Sequence, residues 1–249
     1  MLDRPLARLR YAGGNAVRAL SRPWRQRRIA PGDATTLFGC SFGDGGWHHL
    51  RRTLAEFDAD PSIAAGDTSL GRFLSRFCPT SISTLAGVTD EEPLELFVYP
   101  WGTFNDGAAR SGKSAWDSRF CGPSSEEFIE QEFERTLRLY REMRGSGYQP
   151  TRFPNSHIGG TWLVAADGRR RFVVMQGNHR MAVLAHLGLG HVDVRTIRQA
   201  LAQVRETDIA SWPLVASGRC SLAHARRVFE FFFRETGWHV ARLVEPQTP

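Results

Sequence analysis

The sequence predicts an α+β protein, and three observations carry that reading. Residues 162–166 and 169–175 are strand-like runs joined by Asp167-Gly168, a pair whose tolerance of positive φ suits a tight hairpin turn. Apolar residues recur at helical spacing in two places. One is Leu50, Leu54 and Phe57; the other is the long segment with Phe128, Phe133, Leu137 and Tyr140. Finally, the strand-like run 172–175 passes through Gln176-Gly177-Asn178-His179-Arg180 directly into a helix-like run, 181–187.

Taken in chain order, residues 1–30 form a basic tail. Arg4, Arg8, Arg10, Arg18, Arg22, Arg25, Arg27 and Arg28 are opposed there only by Asp3, and Leu2, Leu6 and Leu9 share one helical face. Residues 31–93 read as a helical extension. It starts with a Gly-rich loop at 38–46, continues with a helix over 47–57, and holds a short helix over 70–77 that Pro79 stops. Residues 94–99 alternate as a strand and end at Pro100-Trp101-Gly102. After a loop to 124, Ser124 or Ser125 caps a long helix. Glu126, Glu127 and Glu130 load its first turns, where the helix dipole favours anions, and Gly145 or Gly147 ends it. The hairpin follows, then the helix-like run 181–187 with Asn178 placed to cap it, ending near Gly188, and then a strand at 191–197. Residues 198–249 read as a C-terminal helical cap rich in aromatics, with Phe229, Phe231, Phe232 and Phe233 on one helix.

Bulk properties narrow the class. The chain has 249 residues, 41% hydrophobic and 23% charged, which is ordinary for a globular protein able to bury a core. A net charge of +6 favours acidic partners: phosphorylated small molecules, nucleic acid or an anionic membrane surface. Nearly all of the basicity is arginine, the one lysine being Lys113. Cys40, Cys78, Cys121 and Cys220 are far apart and form no C-x-x-C pair, which argues against a zinc cluster and a disulfide framework. No apolar run is long enough to span a bilayer and no secretory signal core is visible, so a cytoplasmic protein is expected, with membrane association through residues 1–30 as a further option.

The chemistry concentrates at residues 176–180. A glycine at a helix start lets backbone N–H groups converge on one small volume, and the helix dipole favours an anion there. Asn178 is placed to cap the helix, and His179 and Arg180 add a proton carrier and a cation to its first turn. Gly107-Ala108-Ala109-Arg110-Ser111-Gly112-Lys113-Ser114 matches the P-loop pattern, but the strand and long helix that a P-loop needs on either side are missing. Lys113 is therefore read as a loop lysine that folds over a nucleotide held elsewhere. Among the crowded glutamates of the 126–132 stretch, Glu127 and Glu130 are the candidate bases, and Arg135 reaches a phosphate or pairs with Glu132. His48 and Trp101 are assigned to the substrate side. Adjacent His48 and His49 point to different helical faces, so no two-histidine metal site is expected.

In this order of elements, with Gly147-Tyr148-Gln149-Pro150 closing the long helix and G-x-H-R opening the next, residues 94–197 resemble the ParB/sulfiredoxin superfamily. Ser41-Phe42-Gly43, Gly46-Trp47-His48, Pro100-Trp101-Gly102 and Gly122-Pro123-Ser124-Ser125 further resemble a set of ParB-like proteins associated with surface-glycan synthesis. The resemblance implies a ParB/sulfiredoxin-like core whose loop, here Gln176, Gly177, Asn178, His179 and Arg180, binds nucleotide phosphates. Sulfiredoxins carry a cysteine just before the motif histidine; Asn178 stands there, so the reductase branch is set aside. Partition proteins continue into a helix-turn-helix module, and the residues after Ile197 do not read as one. What remains is a phosphotransferase using ATP or CTP with Mg²⁺ on a hydroxyl of a small molecule or glycan precursor. A DNA-binding or nucleotide-sensing protein without turnover is the alternative.

Overall fold

The computed structural model describes residues 27–103, 118–149, 157–197 and 200–245. The fold is mixed α+β: one six-stranded sheet, a small separate hairpin and eight α-helices among the described residues.

The sheet is built outward from β5 (Ile158–Val164), whose residues are nearly all buried. β6 (Arg170–Gln176) pairs with it antiparallel through the expected Asp-Gly hairpin, with Gly168 at φ 88°. On its other side β5 meets two strands end to end, both parallel: β7 (Val192–Thr196) beside its first half and β8 (Gln203–Arg205) beside its second. β1 (Arg27–Ile29) runs antiparallel to β7, and β2 (Ala34–Thr35) runs parallel to β6, which gives the order β1-β7-β5-β6-β2. Five strands in a flat sheet would separate the outer two by about 19 Å. Only residues 30–33 join β1 to β2, and three of them form a compact 3-10 turn, Pro31–Asp33. The sheet therefore has to curl until its edges approach. A register shift at Gly159 and Gly160 aids the bend, and a side chain at Gly160 would drive its Cβ to 2.0 Å from the Val173 carbonyl.

The helices cover the curled sheet. α1 (His49–Ala59), α2 (Ser69–Arg76) and the short α3 (Ile82–Leu85) precede the sheet's centre in sequence. α4 (Glu126–Ser146) is capped by Ser125, whose hydroxyl accepts from Phe128 N, and ends at Gly147. α5 (Asn178–His186) packs on α1 and α4. α6 (Pro213–Ala216), α7 (Leu222–Arg234) and α8 (Trp238–Val244) form the C-terminal cap. One apolar core runs through all of them, from Ile29 to Val244.

The strand expected over 94–99 shrinks to β3 (Val98–Tyr99), paired with β4 (Gly102–Thr103). Phe97 sits at φ 67°, which breaks extended backbone just ahead of β3. All four expected segments contribute strands to the sheet: β1 comes from the end of the basic tail, β2 from the extension and β8 from the cap. The four cysteines are free, as expected. Among the described residues no helix is long and apolar enough to cross a membrane. Residues 1–26, the P-loop-like stretch and Lys113 lie outside the described residues.

Candidate functional site

β6 delivers the chain to Gly177, which takes the left-handed conformation (φ 88°, ψ 26°) and is the N-cap of α5. A Cβ at Gly177 would lie 3.2 Å from the Ile158 side chain, so both conformation and space select glycine. Asn178 is thus the first helical residue and not the cap: its side chain caps nothing, and its buried Oδ1 has no hydrogen-bond partner. The first-turn backbone N–H groups of a helix have no partner within the helix, and the first-turn residues of α5 line a cavity of about 580 Å³. Gln176, Gly177, Asn178, His179 and Arg180 all line that cavity, so the sequence motif is brought together as expected.

The residue that organises the site is Glu132. It stands on the buried face of α4, one turn after Phe128 and one before Thr136, with only 4% of its surface exposed. Its Oε2 lies 3.1 Å from His179 Nε2, close enough for an ion contact though off the line of a well-aligned hydrogen bond. Its Oε1 accepts from Arg119 Nε at 3.1 Å and from Arg135 Nη1 at 3.1 Å. Burial alone would raise the Glu132 pKa; contact with His179 and the two guanidinium groups overcomes that and brings it to about 2. His179 feels the opposite balance. Burial lowers its pKa, Glu132 raises it, Arg135 and Arg119 lower it again, and the net shift is downward. The ring is therefore neutral near pH 7, while contact with His179 first, and then with Arg135 and Arg119, holds Glu132 ionised. With Nε2 facing a carboxylate oxygen, the neutral ring carries its proton there, and Nδ1 is the basic nitrogen.

Arg138 and Arg180 complete the cationic lining, Arg180 being steadied by donation from Nη1 to the His157 carbonyl at 3.0 Å. Apolar and aromatic side chains also line the cavity: Phe38, Phe73, Phe120 and Leu139, with His49 among them. His49 is 6% exposed and lies flat on Phe73, with ring centroids 3.8 Å apart. Its Nδ1 is buried without a partner. The cavity thus combines a cationic with an aromatic lining, and its volume suits a small organic molecule.

Other expected site residues fall elsewhere. Glu127 and Glu130 are exposed on α4 and do not line the cavity; Glu127 accepts from Gln131 one turn along. They lie on the wrong face of the helix, and Glu132 stands where they were expected. Arg135 does reach the cavity, through the Glu132 pairing foreseen for it. His48 is 1% exposed; its Nδ1 accepts from Leu50 N at 3.2 Å and caps α1, so it supports His49 instead of lining the cavity. Trp101 packs among Tyr99, Trp212, Phe229 and Phe232, away from the site. Glu132, expected only as a partner for Arg135, and Arg119, which sequence reasoning passed over, carry the electrostatics. The signal for Glu132 was available: a carboxylate at a position in phase with the apolar stripe of a helix. Arg119 left none, because it belongs to an irregular loop.

No protein-family model, curated protein or solved structure matches this chain.

Proposed function

We propose that the protein is a nucleotide-dependent phosphotransferase acting on a hydroxyl of a small molecule or glycan precursor. The observation that carries the proposal is the meeting of a buried carboxylate–histidine pair with four arginines at the open N-terminus of α5. The likeness of residues 177–180 to the nucleotide loop of the ParB/sulfiredoxin superfamily supports it further.

In this reading the phosphates of ATP or CTP rest against the first-turn N–H groups of α5 and the adjoining arginines. The base lies along the aromatic lining. His179 Nδ1 takes the proton of the acceptor hydroxyl as its oxygen bonds to the terminal phosphorus. The bond from that phosphorus to the bridging oxygen breaks, and its electron pair leaves with the nucleoside diphosphate. Glu132 fixes the tautomer of His179 and stabilises the imidazolium that forms. Arg119, Arg135 and Arg180 neutralise charge on the transferring group. The base role thus passes from Glu127 or Glu130 to His179. The donor set does not fit a protein-held Mg²⁺. Among the described residues no three carboxylate, histidine or cysteine groups gather for a metal, and Glu132 is already engaged by three cationic or N–H partners. No step is assigned to a metal.

The test is nucleotide binding by calorimetry, with turnover measured against a panel of sugars, polyols and glycan precursors. His179→Asn is expected to keep binding and to lose about 10²–10⁴ in turnover, the span usual for a lost general base. Failure of ATP and CTP to bind at any Mg²⁺ concentration would sink the proposal. Binding without transfer to any acceptor would sink the transferase part and favour the sensor.

A further inference from the structure

A second cationic concavity lies apart from the first. The segment that carries β1 and the 3-10 turn crosses from one edge of the sheet to the other. Between it and the hairpin is a recess of about 570 Å³ lined by Arg27, Arg28, Asp33, Trp162, Arg170 and His191. The Arg170 guanidinium lies over the Trp162 ring at 4.7 Å from its centroid, so the cation is held on a flat aromatic floor. None of Arg27, Arg28 and Arg170 is ion-paired with a described carboxylate, whereas most arginines of the main cavity's wall are engaged. Burial, and then the nearness of Arg27 and Arg205, pulls the Arg170 pKa down: like charges crowd here, with Asp33 the one carboxylate in the lining. Crowded arginines that outnumber the carboxylates beside them are relieved by an anion.

The form of the anion follows from the surroundings. Trp162 is only 7% exposed beneath Arg170, and none of the large exposed apolar side chains among the described residues, Leu189, Leu222, Trp238 and Leu243, lines the recess. Among the described residues a bilayer would find nothing to bury there. In sequence, Arg22 and Arg25 stand shortly before Arg27 and Arg28. Several cations on one stretch of chain match a polymer of phosphates better than a single one.

We propose that the recess at Arg27, Arg28, Arg170 and Trp162 binds the phosphodiester backbone of a nucleic-acid strand, independently of the cavity at α5. Binding there is sequence-tolerant and salt-dependent, because it reads phosphates and no base edge.

The experiment is fluorescence anisotropy of the full chain with a labelled single-stranded oligonucleotide and with its duplex, between about 50 and about 200 mM salt. Phosphatidylserine vesicles and inorganic phosphate serve as parallel probes. The wild type is expected to bind an oligonucleotide with an affinity that falls steeply with salt. Arg27→Glu/Arg170→Glu is expected to weaken it at least about tenfold and to flatten the salt slope by roughly 0.7–0.9 for each phosphate the protein no longer neutralises. Arg27→Lys/Arg170→Lys, which keeps the charge, is expected to hold most of the affinity. Nucleotide turnover at the α5 cavity is read in the same variants and is expected to be unchanged, so that the two proposals stand or fall separately. Oligonucleotide binding unaltered by the glutamate variant, equal loss in both variants, or binding of vesicles or free phosphate in preference to nucleic acid would each overturn the inference.

Discussion

At the scale of single residues, Glu132 and His179 make a pair whose titration can be followed. His179 has a folded-state pKa below the ordinary histidine value, and Glu132 is the influence that raises it. A base acts in its unprotonated form, so activity rises with pH as His179 loses its proton. The acid limb of kcat/KM is therefore expected below about pH 6.5. Glu132→Gln removes the raising influence, so its residual activity is expected to show an acid limb displaced to still lower pH, together with a lower kcat. An unmoved limb would mean that another group titrates.

A contrast comes from Ser83, His224 and Glu91, which have the outline of a hydrolytic triad. Ser83 Oγ is 2.8 Å from His224 Nε2, and His224 Nδ1 is 3.4 Å from Glu91 Oε2. Yet Ser83 is fully buried, and its hydroxyl also accepts from Leu94 N at 2.9 Å. It is a latch holding the segment before β3 against α7. Ser83→Ala is expected to cost about 1–3 kcal/mol of stability, the penalty of leaving buried polar partners unmet, and to leave turnover unaffected. Chemical denaturation with parallel assays separates the two effects.

At the scale of elements, the site depends on two junctions. One is the β6–α5 turn. Gly177→Ala forces a side chain into left-handed backbone and against Ile158, with an expected loss of about 1–2 kcal/mol and weaker nucleotide binding. The binding loss should exceed that of an Ala substitution at exposed Gly190. The other junction pins three helices together. The Tyr140 hydroxyl of α4 donates to Asp58 of α1 at 2.9 Å, and His186 of α5 meets the same carboxylate at 2.8 Å.

These elements also show what a sequence discloses. The hairpin, α4 and α5 were legible because a turn residue, a cap or an apolar stripe marks each locally. β1, β2 and β8 were not: two or three residues cannot display a period, and their partners are distant in sequence. The motif residues 176–180 were legible as a loop. The choice of Glu132 over Glu127 and Glu130 needed the helix phase, since only one of the three points inward.

At the scale of the whole molecule, acid sensitivity follows from histidines kept neutral in the interior. His48 is driven down to about 3 by burial, with His179 and Arg51 adding to it; His49 and His179 are lowered as well, burial again leading. Below about pH 6.5 the unfolded chain takes up protons at these positions and the folded one resists. The unfolded state then binds more protons, and stability falls as pH falls, by up to about 1.4 kcal/mol per pH unit for each histidine. The loss sets in well above the range where Glu132, with its depressed pKa, would begin to contribute. Denaturant melts at pH 7 and pH 5 are expected to show a marked drop, and a drop confined to below pH 4 would point to the carboxylates alone.

The curl of the sheet has one more consequence. Bending brings the two outer strands together across four residues and leaves them only three and two residues long. Short outer strands expose few unpaired backbone donors and acceptors, so a neighbouring copy finds no ladder on which to add a strand. The same curl therefore guards these edges against self-association through the sheet, in a chain whose net charge of +6 also disfavours close approach of copies.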